Sequence, residues 1–180
     1  MKRMFLVTLV MPSLLLCGNS SLFDEEKPTT AVKTCMERNE IKNTHTPADL
    51  FKSSAMCIEE EKYTQAVELY LVATAYGYFD SARVLDKTAR DVLDVIKTDN
   101  FTNLDVSKRD KFAEALRTRL DDMRPSCTFL AKLGYPNYHP RYMIQAGTEG
   151  VIVKSKNGLV PRYDANLLWE ETRATYLKCQ

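Results

Sequence analysis

The first twenty residues constrain this chain more than any others, because they decide in which compartment it folds. Lys2 and Arg3 give a positive start, and residues 4–16 form an apolar run interrupted by Thr8, Pro12 and Ser13. Cys17-Gly18-Asn19-Ser20-Ser21 then supplies small residues. Charge, apolar run and small residues in that order are what an export signal requires. The run is shorter than the roughly 18 apolar residues of a membrane-spanning helix, and no later stretch comes close. Export into an oxidising compartment, by way of a signal over residues 1–20, is therefore expected, and with it paired cysteines.

Two fates are open for the signal. Cleavage after Ser20 would use Gly18 and Ser20 as the small residues before the cut and release a soluble protein to the periplasm. Alternatively Cys17 becomes the lipidated first residue of the mature chain. Leu14-Leu15-Leu16-Cys17 resembles a bacterial lipobox in its apolar part, although Leu16 stands where Gly, Ala or Ser is usual. Lipidation would hold the protein at the periplasmic face of the outer membrane, its one expected contact with a membrane.

Either fate leaves Cys35, Cys57, Cys127 and Cys179, an even set that allows three pairings. Cys35 with Cys57 and Cys127 with Cys179 is the expected arrangement, since each pair lies within one expected structural unit. A metal site is not expected, because no C-x-x-C or C-x-x-H spacing occurs.

Charge narrows the partners. Lys and Arg number 25 against 24 Asp and Glu, for a net charge of +1, and the two signs are interspersed. No Lys/Arg block is interleaved with aromatics, so neither nucleic acid nor an anionic membrane surface is an expected partner.

Residues 21–46 read as a polar leader rich in Lys, Glu, Asn and Thr, anchored by Cys35 and otherwise loosely packed. A single helical domain is expected over 47–180. Thr46 suits a helix N-cap, Pro47 the first helical position and Asp49 the first turn. Leu50, Phe51, Ser54, Ala55 and Ile58 recur at helical spacing, predicting a helix over 47–61. Glu59-Glu60-Glu61 reads as its solvated end. A second helix opens at Tyr63, carries Ala66, Val67, Leu69, Tyr70, Val72, Ala73 and Tyr76, and closes at Gly77 as C-cap. A third begins with Asp80 as N-cap and runs through Ile96.

Lys62-Tyr63-Thr64-Gln65-Ala66-Val67-Glu68-Leu69-Tyr70 and Ala73-Thr74-Ala75-Tyr76-Gly77-Tyr78-Phe79-Asp80-Ser81-Ala82 resemble a tetratricopeptide or Sel1-like unit. Ala66, Tyr70, Ala73, Gly77 and Ala82 stand where that family places small or aromatic residues. The resemblance covers about residues 47–97 and implies a helical hairpin, completed here by non-repeat helices, since a solenoid needs about three repeats. It also implies action by binding, as helical repeats use their surfaces to hold other proteins.

The remaining chain, 101–180, reads as helical. Asn103-Leu104-Asp105 caps a helix over 107–122 with Phe112, Ala115, Leu116 and Leu120 on one face. Pro125 opens a short helix with Cys127, Phe129, Leu130 and Leu133, ended by Gly134. An aromatic, proline-rich link, Tyr135-Pro136-Asn137-Tyr138-His139-Pro140, leads to a short helix over 141–145. Val151-Ile152-Val153 is the one strand-like piece in an otherwise all-α reading. Asp164 caps a last helix with Leu167, Leu168, Thr172, Tyr176 and Cys179 inward and Trp169 at its edge. The segment from Tyr138 to Gln145, with this tryptophan helix, also resembles exported bacterial proteins of no known activity.

Few groups suit catalysis. His45 falls in the polar leader, where solvation is expected. His139 stands between Tyr138 and Pro140, in a structural role or, alternatively, as the base of a hydrolase with Asp164 or Glu170. No G-x-S-x-G elbow, H-E-x-x-H motif or Gly-rich phosphate loop occurs, so no cofactor is expected. Aromatics offer more. Tyr70 and Phe79 belong to the inward face, while Tyr78, Tyr135 and Tyr138 fall in expected turns, where with Arg83 and Arg141 they would form a partner-binding surface. The leading expectation is thus a non-catalytic envelope protein that binds another envelope or exported protein, as adaptor or neutraliser. A cell-wall glycan binder, with exposed Tyr and Trp169 as stacking platforms, is the alternative beside the hydrolase.

Overall fold

A computed structural model describes residues 32–147 and 157–179. The segment expected to be an export signal, Cys17 and Val151-Ile152-Val153 lie outside the described residues. Those described are mostly helical with almost no strand, so the all-α expectation holds.

Helix α1 (Pro47–Glu59) begins as its sequence dictates. Thr46 Oγ1 accepts from the Asp49 N–H at 3.3 Å, and Asp49 Oδ2 accepts from the Thr46 N–H at 3.0 Å. This reciprocal cap satisfies donors that would otherwise lack partners. The chain reverses at Glu61, which takes φ 59°, and α2 (Tyr63–Arg83) returns along α1. Buried residues point in all directions from α2, among them Val67, Leu69, Leu71, Val72, Ala75, Tyr76 and Phe79. A helix apolar all round belongs in the middle, and α1, α4 (Val106–Asp121) and α7 (Ala165–Leu177) all pack on it.

The glycine turn expected at Gly77 is absent. α2 continues through it to Arg83, and Asp80 is a buried helical residue, not an N-cap. Gly77 has a different task. A Cβ there would lie 2.7 Å from Leu93 Cδ2, so the missing side chain admits Leu93 from the start of α3 (Val92–Phe101) against the α2 backbone. α2 ends at Val84 instead, where the backbone becomes extended and makes a β-bridge with Leu159. Lys87 Nζ donates to the carbonyls of Ser81, Ala82 and Val84 at 3.1, 3.0 and 2.7 Å, capping the acceptors the helix leaves open.

Two aromatic groups lie on the first and second halves of α2. Tyr70 meets Phe51, Phe101 and Phe112 with centroids 5.4 to 5.8 Å apart, tying α1, α3 and α4 together. Tyr76 and Phe79 meet Trp169 at 5.6 and 5.9 Å and hold α7. Trp169 therefore sits in the core, not at the helix edge, while Leu167 and Tyr176, expected inward, are 58% and 48% exposed. Leu120 of α4 is likewise exposed, at 54%. The helix that buries Trp169 turns Leu167, two positions earlier, to the solvent, and a single exposed leucine costs little.

The leader is more firmly held than its polarity suggests. Cys35, Met36 and Ile41 are buried in the main core. The Met36 N–H donates to Ser53 Oγ at 2.8 Å, and Gln65 Nε2 donates to the Met36 carbonyl. Both expected disulfides form, Cys35–Cys57 and Cys127–Cys179, spanning 22 and 52 residues. Among the described residues no helix is long and apolar enough to cross a membrane.

Candidate functional site

Asp80 and Arg83 are one turn apart, and on a helix that continued past Gly77 this spacing brings them together. Asp80 Oδ1 accepts from Arg83 Nε at 2.9 Å and lies 2.7 Å from Nη2, with the two side chains 0% and 6% exposed. The link supplies the rest. Tyr138 and Tyr142 are four residues apart, and both hydroxyls donate to Asp80 Oδ2, at 2.8 and 2.7 Å. Arg83 Nη2 donates to the Tyr138 carbonyl at 2.8 Å, and its guanidinium lies over the rings of Phe79 and Tyr138.

The electrostatics follow from burial. Loss of water pushes the Asp80 carboxyl above its ordinary range, against the pull of Arg83 and of the two tyrosines. Burial opposes the Arg83 charge as well, but Asp80 and the Tyr138 and Tyr163 hydroxyls outweigh it and hold the guanidinium protonated. Burial, then the Asp80 charge, raises Tyr138 and Tyr142, so both remain hydroxyl donors. Every polar atom of this cluster that is named here has a partner inside the protein. It fastens the link to α2.

This placement corrects the expected binding surface. Arg83 is buried, and the Tyr138 hydroxyl faces inward. Tyr135 is half-buried and stacks on Phe79 at 6.0 Å. Tyr78 lies within α2, not in a turn, and stacks on Tyr176 with centroids 4.0 Å apart. Arg141 is exposed at the start of α6 (Arg141–Ile144). The five residues do not share one surface. Phe79 is fully buried and Tyr70 half-buried, as their inward position predicts.

Of the residues weighed for a hydrolase, Asp164 and Glu170 are engaged with other partners. His139 is exposed. Asp164 Oδ1 accepts the N–H groups of Asn166 and Leu167 at 2.9 and 3.1 Å, capping α7, and Glu170 pairs with Arg173. His45 is half-buried where solvation was expected, and its Nδ1 accepts from the Lys42 N–H at 3.2 Å. Glu59, Glu60 and Glu61 are exposed, with Lys108 and Lys62 paired to the first two. Among the described residues no group of His, Cys, Asp and Glu could hold a metal ion.

A groove of about 810 Å³ lies elsewhere, between the leader and α5 (Arg124–Leu133). Ile41, Phe129 and Leu133 give it an apolar floor, and Arg38, Glu37 and Lys132 stand at its rim. Arg38 spans the two walls. Its guanidinium lies 4.4 Å over the Phe129 ring, donates to the Pro125 carbonyl at 3.4 Å and pairs with Glu68 at 3.2 Å. Each wall also carries a half-cystine next to its lining residues, Cys35 before Glu37 and Cys127 before Phe129. The groove is thus bounded by covalently anchored segments. Sequence reasoning passed over Arg38, since the leader read as loosely packed, and read Phe129 only as an apolar residue of its short helix; the two cysteines beside them were the available signal.

Comparison with protein-family models, with curated proteins and with solved structures returned no match.

Proposed function

We propose that this is a non-catalytic bacterial envelope protein that acts by binding a segment of another exported protein in the groove between the leader and α5. The carrying observation is the groove's construction: an apolar floor of Ile41, Phe129 and Leu133 between two walls that are each anchored by a disulfide. Walls held before the partner arrives lose little conformational freedom on binding, which favours affinity. Phe129 provides the aromatic contact and Lys132 a charge that no carboxylate within the described residues engages. The fitting partner segment presents an apolar side chain next to a carboxylate.

Export is part of the proposal. Two intrachain disulfides support an oxidising compartment such as the periplasm, with attachment to the outer membrane if Cys17 is lipidated. The tetratricopeptide-like reading stands beside it as a helical pair, α1 with α2, without the second turn at Gly77.

The test is crosslinking in the bacterial host followed by affinity capture of the tagged protein, run in parallel for the wild type, Lys132→Glu and Phe129→Asp. One dominant exported partner is expected with the wild type and is lost in both variants. Lys132 is exposed, so its reversal leaves the fold intact and guards against misfolding of the Phe129 variant. An unchanged set of captured proteins across all three would overturn the proposal.

A further inference from the structure

Another concavity, about 250 Å³, lies beside the C-terminal half of α2 and shares no lining residue with the groove; Tyr78 and Tyr176 line it together. Their rings are parallel within 8° at a centroid distance of 4.0 Å. Tyr78 covers one face of Tyr176, yet Tyr176 remains 48% exposed, so its other face meets water. Stacking fixes that face in place at no further cost in side-chain freedom.

The other lining groups are charged and balanced. Arg90 and Lys97 line the same cavity as Asp91 and Asp94. Lys97 Nζ lies 3.4 Å from Asp94 Oδ1, whereas Arg90 and Asp91 make no ion pair with described residues and are exposed. A cavity with equal numbers of cations and carboxylates selects neither an anion nor a cation. It does offer planar donors and acceptors side by side, the arrangement that satisfies neighbouring hydroxyl groups. The volume falls below the roughly 300–1,000 Å³ of sites for drug-sized ligands and suits one ring.

We infer that this cavity binds a neutral sugar, with a pyranose ring laid against Tyr176 and its hydroxyls held by Arg90 and Asp91. Sugar rings present C–H bonds on one face, and these pack on an aromatic face while the equatorial hydroxyls reach the charged rim. The inference is independent of the groove. It moves the glycan-stacking role from Trp169, which is buried in the core, to Tyr176.

The experiment is an amide NMR titration of the oxidised protein with glucose, galactose and N-acetylglucosamine, and with glucuronate as the charged control. At least one neutral sugar is expected to give saturating shifts at residues 78, 90–97 and 176, with a Kd on the order of millimolar. Tyr176→Ala should weaken that binding about tenfold with a small fall in Tm from the lost stacking on Tyr78, and Arg90→Ala, at an exposed position, should weaken it likewise at unchanged Tm. Tighter binding of glucuronate would instead mark an anion site and overturn the assignment. So would shifts that survive Tyr176→Ala, shifts centred on Phe129, or no shifts with any of the three neutral sugars.

Discussion

Tyr142 donates its hydroxyl to Asp80 at 2.7 Å, one of the contacts that fasten the segment after α5 to the last turn of α2. Because Tyr138 shares the same carboxylate oxygen and Arg83 holds the other, Asp80 is the junction of the cluster.

Removing the junction should therefore cost more than removing any branch. Asp80→Ala leaves the Arg83 guanidinium buried without its carboxylate, and loss of about 3–5 kcal/mol is expected. Tyr142→Phe removes one charge-assisted hydrogen bond and should cost about 1.5–3 kcal/mol. Urea unfolding of the oxidised protein checks the order. Equal losses for the two variants would mean that Asp80 is not the organising residue.

How far this cluster was legible in the sequence depended on one glycine. With Gly77 read as a C-cap, Asp80 became an N-cap and Arg83 and Tyr138 became surface residues; with α2 continuous, all three turn inward. Local signals alone could not decide this, since a glycine serves equally to end a helix or to admit a neighbour, and Leu93, which it admits, is sixteen residues away in sequence. Signals that act within a turn fared better. The Thr46 cap, the Pro125 start, the Gly134 stop with its φ of 79°, and the Asp164 cap all stand where they were expected. The disulfide pairing was legible too, because each pair joins neighbouring elements. The groove was not, as it is formed by Arg38 crossing to Phe129, ninety-one positions apart in the chain by their numbers.

Gly77 gives the second prediction. If its role is to admit Leu93, a branched side chain there should force α2 and α3 apart. Gly77→Val is expected to destabilise the protein by about 1–3 kcal/mol. Leu93→Ala in the same chain should recover part of that loss, because the space it vacates accepts the new methyl groups. A double-mutant cycle in urea measures the coupling, and strict additivity would show that the two positions do not compete for space.

The disulfides should differ in what they protect. On chain entropy, the bond closing 22 residues contributes about 3 kcal/mol and the one closing 52 about 4 kcal/mol. Cys127→Ser with Cys179→Ser should therefore lower stability more. Cys35→Ser with Cys57→Ser should instead expose the leader wall of the groove. Hydrogen exchange would report it as faster exchange at Met36, whose N–H is held by Ser53.

His45 should make stability depend on pH. Burial, with a smaller contribution from Lys42, lowers its pKa below the ordinary 6.5 against the opposing pull of Asp49 and Glu40. The neutral ring is the one that fits, because Nδ1 must accept the Lys42 N–H. On acidification the unfolded chain binds its proton first, near the ordinary value, and the folded chain only at lower pH. The stability that this histidine contributes is thus complete above about pH 6.5 and lost as pH falls through the folded pKa. Urea midpoints at about pH 7.5 and about pH 5 should differ more for the wild type than for His45→Asn, whose amide oxygen can accept the same N–H at both. Equal differences for the two proteins would show that His45 is not the group that titrates.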